Sequence, residues 1–184
     1  MSGDRYFIRD QQALYFITPT MINWLDVFIR PEYKYVIVDA LNYCVNNKGL
    51  NIFAWCLITS HMHLVVSSNE PHRLSDTLRD FKKFTATTII KMIKEGPESR
   101  RQYLLNQFED AGLSDKRITK YKFWQESNHA VELDPFKPEI IDQKINYIHY
   151  NPVEAGIVSY PVDYLFSSAR DYADIKGLVK VIIA

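Results

Sequence analysis

The chain has 184 residues, of which 47% are hydrophobic and 14% aromatic, a composition that predicts one globular domain over residues 1–184 and excludes a disordered protein. Its 22 basic and 22 acidic residues cancel, and a pI of 7.0 is not typical of a protein that coats DNA. No apolar run approaches the ~18 residues that a membrane helix needs, and no export leader is visible. We therefore predict a cytoplasmic protein.

The charges are unevenly distributed along the chain. Residues 73–122 contain 12 basic and 7 acidic side chains, whereas residues 1–72 contain 5 and 6, and residues 123–184 contain 5 and 9. A basic segment within a neutral protein is compatible with phosphate contact over a limited surface. It is equally compatible with a solvated helix face, so charge alone does not decide between the two.

The first third of the chain predicts a strand, a helix and a β-hairpin. Residues 13–18 are apolar and aromatic and end at a proline, which predicts a strand. Residues 31–45 carry apolar side chains at helical spacing and lead to a glycine suited to a helix C-terminus. Residues 51–58 and 61–67 predict two strands joined across the turn at residues 59–60.

His61 and His63 begin the second strand of this hairpin. Side chains alternate along a strand, so both imidazoles point to the same face. Two adjacent imidazoles offer two nitrogen ligands to one divalent metal, although such a pair also occurs as a polar pair at a sheet edge. The pair is a candidate metal site if another segment supplies a third ligand.

The middle of the chain predicts two helices, at residues 71–95 and 98–111. Their basic side chains are predicted DNA phosphate contacts, namely Arg79, Lys82, Lys83, Arg100 and Arg101. Arg100 and Arg101 fall in the first turn of a helix, where positive charge opposes the helix dipole, and this makes them more interesting as ligand contacts. The alternative for all five is an exposed face without a function.

Residues 120–125 alternate aromatic and polar side chains and predict a short strand. Trp124 lies on this strand and has two interpretations. It would either stack on an unpaired base, an interaction worth about 1–3 kcal/mol, or belong to the core. The core interpretation is favoured because most tryptophans in such positions are buried.

Residues 138–151 predict the last helix, which starts with a proline and acidic residues in its first turn. Tyr147 and Asn151 stand four residues apart and therefore share a face of this helix. A phenol and an amide oxygen that face the histidine pair would form a compact site for cleaving a phosphodiester. Asn151 precedes Pro152, which predicts that it lies at the end of the helix.

The order strand, helix, strand, strand, helix, strand, helix predicts an α+β protein with a ferredoxin-like antiparallel sheet and helices packed on it. Residues 178–183 are mostly apolar and have two interpretations. They would add an edge strand to this sheet or pair with a second copy of the chain, which would make a homodimer.

Four short motifs resemble those of the single-tyrosine HUH transposases. They are, in chain order, His61-Met-His63, Lys122-Phe-Trp-Gln125, Tyr147-Ile-His-Tyr-Asn-Pro-Val-Glu-Ala-Gly156 and Ser167-Ser-Ala-Arg170. Within that family, the likeness is closest to the branch associated with repetitive extragenic palindromes. It covers about residues 12–175 and leaves residues 176–184 as a tail. Each motif is weak alone, but their order and spacing together are fairly specific.

The resemblance implies an HUH fold and metal-dependent nicking and rejoining of single-stranded or hairpin DNA. It implies Tyr147 as the nucleophile, and His61, His63 and Asn151 as ligands of Mg²⁺ or Mn²⁺, which accept mixed nitrogen and oxygen ligands. Attack by the phenol would leave a 5′-phosphotyrosine and a free 3′-OH. A phenol has a pKa near 10, well below that of an alcohol, so this ester stays reactive enough for rejoining.

Two residues depart from the family pattern. Ser60 stands where many relatives have Asn, and Asn151 stands where better-known relatives have Gln. Tyr150 remains a rival nucleophile because it lies on a face next to that of Tyr147, and the group that accepts the phenol proton is not indicated.

Two further classes of function stay open. One is a domesticated module that binds DNA hairpins with little or no catalysis. The other is a small zinc hydrolase that uses His61 and His63, which is disfavoured because no third strong zinc ligand stands at a standard spacing.

Overall fold

The computed structural model describes residues 7–115 and 120–183, which form a four-stranded antiparallel sheet with helices packed against it. The strands are β1 (Leu14–Ile17), β2 (Leu50–Leu57), β3 (Met62–Ser68) and β4 (Val131–Leu133), in the order β2-β3-β1-β4 across the sheet. The helices are α1 (Pro31–Asn47), α2 (Leu74–Glu95), α3 (Arg101–Leu113) and α4 (Pro138–Glu154). The predicted α+β, ferredoxin-like fold is confirmed.

The sheet forms the centre of the hydrophobic core. Tyr15, Trp55 and Leu64, one from each of the three longer strands, are at most 2% exposed. Helix α1 packs against α2 and β2, whereas α4 packs against β2 and β3. None of the helices in the described ranges is long and apolar enough to cross a membrane.

The strand register determines where the two histidines lie. In the β1–β3 pair, Ile17 is opposite Leu64, and extending this register by one residue brings Thr18 level with His63. On its other side His63 is opposite Cys56 of β2. His63 therefore lies in the interior of the sheet, with neighbouring strands on both sides, and not at a free edge.

The C-terminal part of the chain covers the outer edge of β2. Leu57 N donates to Phe166 O at 2.9 Å, Ser168 N donates to Trp55 O at 2.9 Å, and Ile182 N donates to Ile52 O at 2.8 Å. These bonds satisfy backbone groups that an edge strand would otherwise expose. Residues 178–183 nevertheless form no strand, so the prediction of an added edge strand is wrong. Pairing with a second copy stays a prediction.

The predicted strand at residues 120–125 is also wrong. This segment makes one isolated bridge, between Trp124 and Met21. Lys122 N donates to Phe108 O of helix α3, and Gln125 N donates to Thr20 O. Its apolar side chains do not alternate, since Phe123 and Trp124 are both buried. The strand beside β1 is instead β4, which is three residues long and too short to show a readable alternation.

The predicted helices are present, with shifted ends. Helices α2 and α3 each begin three residues later than predicted. Helix α4 continues through Pro152 to Glu154, so Asn151 lies inside the helix and not at its end. Pro152 falls in the last turn, where few helical hydrogen bonds remain to be disrupted.

Ser168 joins α4 to the edge of the sheet. Its hydroxyl lies 2.9 Å from His149 Nε2 on α4 and accepts a 2.9 Å hydrogen bond from Trp55 N on β2. Ser168 and Trp55 are fully buried and His149 is 7% exposed. A single hydroxyl thus connects the helix that carries Tyr147 to the sheet that carries the histidines.

Replacing Ser168 with Ala is expected to lower the free energy of unfolding by about 1–3 kcal/mol, because it leaves buried groups of His149 and Trp55 without a partner. Chemical denaturation of the two proteins measures the change. The exposed Ser159 gives a matched control, for which Ser159→Ala should leave stability unchanged. Equal stability of Ser168→Ala and the parent chain would show that this contact does not hold α4.

Candidate active site

Strand β3 and helix α4 bring His61, His63 and Tyr147 into one cluster. The ring centres of His61 and His63 are 4.8 Å apart, and the ring of Tyr147 lies edge-on to His63 at 5.1 Å. Phe16 of β1 stacks on His63 at 5.5 Å and meets Tyr147 at 6.1 Å. Two motifs that are far apart in the sequence therefore share one face of the sheet.

Each histidine of the pair contacts a hydroxyl group through Nδ1. Thr18 Oγ1 lies 3.0 Å from His63 Nδ1, and Ser60 Oγ lies 3.2 Å from His61 Nδ1. Trp24 also packs edge-on against His61, with ring centres 5.2 Å apart. Sequence reasoning missed the role of Thr18, because a threonine after a strand carries no signal of its own.

Several buried side-chain polar atoms in the described ranges have no hydrogen-bond partner, and two of them belong to predicted metal ligands: His63 Nε2 and Asn151 Oδ1. A buried polar atom without a partner is unfavourable, so it needs an explanation such as an ion or a ligand. An amide oxygen and an unprotonated imidazole nitrogen are both suited to bind a divalent cation. Asn151 stands one helical turn beyond Tyr147 on α4, so the two side chains share a face of the helix.

The predicted metal ligands would offer two imidazole nitrogens, from His61 and His63, and one amide oxygen, from Asn151. Within residues 7–115 and 120–183, no group of three His, Cys, Asp or Glu side chains is placed to hold a metal ion. A third ligand beside the histidines in these ranges would therefore be of another type, and the amide of Asn151 fits that requirement.

Burial favours the neutral form of both histidines. Burial lowers the pKa of His63 to about 3, and the charges of His61 and Lys144 contribute in the same direction. Burial also lowers the pKa of His61. A neutral imidazole keeps the lone pair that a metal requires, so the buried environment favours the ligating form.

Helix α4 presents different side chains on its different faces. Tyr147, on the face toward His63, is 42% exposed, so the residue is partly accessible from solvent. Tyr150 is 53% exposed on a neighbouring face, whereas His149 points into the core toward Ser168. Burial lowers the pKa of His149 to about 4. His149 is thus engaged in packing and not in the cluster.

Lys144 lies one turn before Tyr147 on α4 and belongs to the cluster as well. Its Nζ is 4.8 Å from the ring centre of Phe16, which in turn stacks on His63. Sequence reasoning did not select Lys144, although its spacing of three residues from Tyr147 is the signal that could have found it. The cluster therefore combines a phenol, two imidazoles and a cation.

Two of the predicted DNA contacts already have partners within the fold. Arg79 pairs with Asp76 at 2.7 Å and with Asp80 at 3.0 Å on the surface of α2. Lys82 Nζ donates to Gln125 O at 2.8 Å, and burial lowers its pKa to about 8. The neighbouring Lys83 is exposed. The role of all three in DNA binding stays a prediction.

Arg100, Arg101 and Trp124 have structural contacts too. Arg100 Nη2 donates to Asp26 O at 3.0 Å, and Arg101 donates from Nε to Ile93 O at 3.0 Å, near the end of α2. Trp124 is 6% exposed, and its Nε1 donates to Thr85 Oγ1 at 3.1 Å. This burial supports the core interpretation of Trp124, since a base could not stack on an enclosed ring.

No protein-family model matches the chain, and no curated protein sequence does either. A solved structure of a REP-associated tyrosine transposase bound to a REP hairpin covers 99% of this chain and 92% of its own, with a TM-score of 0.64 and 20% identity. A candidate transposase from Deinococcus radiodurans covers 81% of this chain and 98% of its own, at 15% identity and a TM-score of 0.45, too low to establish a shared fold. The first similarity confirms, at the level of fold, the resemblance seen in the sequence motifs.

Proposed function

We propose that the protein nicks and rejoins single-stranded or hairpin DNA through a covalent bond to Tyr147, assisted by Mg²⁺ or Mn²⁺. The observation that carries the proposal is the packing of Tyr147 against His63 at 5.1 Å, because it unites a nucleophile with a candidate metal site. The shared fold with a transposase bound to a REP hairpin supports DNA as the substrate.

In the proposed reaction, the phenolic oxygen of Tyr147 attacks the phosphorus of a phosphodiester and releases its proton. The bond from phosphorus to the 3′ oxygen breaks, and that oxygen leaves with the electron pair and takes up a proton. The products are a 5′-phosphotyrosine and a 3′-OH end. The exposure of Tyr147 fits this role, because a DNA strand must reach it from solvent.

Rejoining is the reverse reaction with the same or another 3′-OH as the nucleophile. Its leaving group is a phenol with a pKa near 10, which departs more readily than an alcohol. The energy of the broken bond is therefore kept in the aryl ester, and no ATP is needed.

His61, His63 and Asn151 are proposed to hold the divalent cation. When bound, such a cation would polarise the scissile phosphate and stabilise charge on the departing 3′ oxygen. The buried, partnerless His63 Nε2 and Asn151 Oδ1 support this ligand set. Lys144, whose Nζ lies over Phe16, would add positive charge that attracts the phosphate.

A second candidate function is the binding of DNA hairpins without catalysis. The REP hairpin in the similar transposase structure supports this alternative as well as the first. The two functions differ in one product, the covalent adduct. A zinc hydrolase has less support, because within the described ranges His61 and His63 have no His, Cys, Asp or Glu neighbour that completes a ligand set.

Tyr147→Phe is expected to abolish a covalent adduct with single-stranded or hairpin DNA, because the attacking oxygen is removed while the aromatic ring remains. Labelled DNA is incubated with each protein and Mn²⁺, and adducts are separated by denaturing electrophoresis and located by peptide mapping. Tyr150→Phe is the matched control and should form the adduct like the parent chain.

His63→Ala should also lose the adduct, and in addition it should bind Mn²⁺ more weakly.

An adduct in Tyr147→Phe that maps to Tyr150 would overturn the assignment of the nucleophile. The absence of any adduct in the parent chain, together with tight hairpin binding, would favour the non-catalytic alternative.

Lys83→Ala is expected to flatten the dependence of hairpin binding on salt by about one unit of logarithmic slope, as the loss of one phosphate contact does. Lys82→Ala is the comparison, and it should change the slope little because Lys82 Nζ already bonds to carbonyl oxygens within the fold. Fluorescence anisotropy at several salt concentrations gives both slopes. An unchanged slope in Lys83→Ala would identify this lysine as part of a solvated face.

A further inference from the structure

The two histidines of the candidate metal site have the same arrangement around Nδ1. A hydroxyl oxygen lies 3.0 Å from Nδ1 of His63 and 3.2 Å from Nδ1 of His61. The hydroxyls come from separate segments, since Thr18 directly follows β1 and Ser60 lies in the turn between β2 and β3. Two independent parts of the chain thus place the same chemical group at the same ring position.

A neutral imidazole carries its proton on one nitrogen and a lone pair on the other. If the Thr18 hydroxyl donated to Nδ1, the proton of His63 would be on Nε2, where the buried atom has no acceptor. An orphaned buried N–H is rare in native proteins. If Nδ1–H instead donates to Thr18 Oγ1, Nε2 carries a lone pair, which a cation can use.

We propose that Thr18 and Ser60 are positioning residues that hold His63 and His61 in the Nδ1–H tautomer, so that both Nε2 lone pairs face the divalent cation. This inference rests on the metal site of the proposed function and deepens it. It assigns a role to Ser60 at the position where the sequence departs from the family pattern.

Both hydroxyls are attached to backbone that is fixed by hydrogen bonds. Thr18 N donates to Asn128 O at 2.7 Å, and Thr18 O accepts a 3.1 Å bond from Thr20 Oγ1. Ser60 is 8% exposed, and its carbonyl accepts a 2.9 Å bond from Met21 N. An acceptor held in this way can fix the orientation of an imidazole ring as well as its tautomer.

The first test is a tautomer measurement on the metal-free protein. Long-range proton–nitrogen correlation spectra of isotope-labelled protein distinguish a protonated ring nitrogen from an unprotonated one. For His63 and His61 we expect a protonated Nδ1 and an unprotonated Nε2. The opposite tautomer at His63 would overturn the proposal.

The second test measures Mn²⁺ affinity by calorimetry in the absence of DNA. Thr18→Val removes the hydroxyl at nearly constant volume and is expected to weaken binding by about 10–100-fold, the usual effect of losing a group that orients a metal ligand. Thr18→Ser keeps the hydroxyl and should restore most of the affinity. Thr77→Val is a matched control, because the Thr77 hydroxyl bonds to Lys48 O and not to a histidine.

Ser60→Ala provides an independent variant if Thr18→Val does not fold, and it should also weaken Mn²⁺ binding and change the tautomer signal of His61. Parent-like affinity and spectra in both hydroxyl-deleted variants would contradict the proposal. Neither readout requires DNA cleavage. A chain that shows the expected tautomers and Mn²⁺ binding but forms no adduct would refute the proposed function and leave this inference intact.

Discussion

The architecture of the site depends on the packing of other rings against the buried imidazole of His63. Its ring is 5% exposed and is stacked by Phe16 on one side and met by Tyr147 on another. Strand β1 provides Phe16, strand β3 provides the imidazole and helix α4 provides the phenol. Moving α4 relative to β3 would separate the candidate nucleophile from the histidines, and Phe16 of β1 packs against both rings. The site therefore requires that these elements be fixed relative to one another.

The fold meets this requirement through the sheet and through the opposite face of α4. The register of β1 and β2 on either side of β3 holds His63 in the sheet interior, where it is protected from solvent. On α4, His149 faces away from the cluster and bonds to Ser168, whose hydroxyl also accepts from Trp55 N. The tyrosine helix is therefore attached to the sheet by one face while another face carries the chemistry.

The long helices and the hairpin could be predicted because their apolar residues repeat at a regular spacing or a clear turn separates them. The order of these elements then predicted the fold class. Prediction from the sequence failed at residues 120–125, where tertiary packing buries both Phe123 and Trp124 although the pattern suggested alternation. It also missed β4. The three residues of β4 form a strand because they pair with β1, and not because of a local preference for strand. Local pattern identifies an element only when the element is long enough to show its period.

Some residues of the candidate site could be predicted from sequence motifs, whereas the contacts of others form only in the folded chain. His61, His63 and Tyr147 stand in recognisable motifs, and the structure brings them together. The contact of Thr18 with His63 arises only when β1 meets β3, so no spacing in the chain revealed it. Lys144 stands three residues before Tyr147, but its contact with Phe16 arises only when α4 meets β1. The intramolecular partners of Lys82 and Arg101 were equally invisible, because they are backbone carbonyls supplied by other segments.

We propose that His61, His63 and Asn151 form one divalent-metal site beside Tyr147. Diffraction from crystals soaked in Mn²⁺, recorded at the manganese absorption edge, tests it most directly. We expect a single strong anomalous peak ligated by Nε2 of both histidines and by Oδ1 of Asn151. A peak bound elsewhere, or one that contacts the histidines through Nδ1, would contradict it.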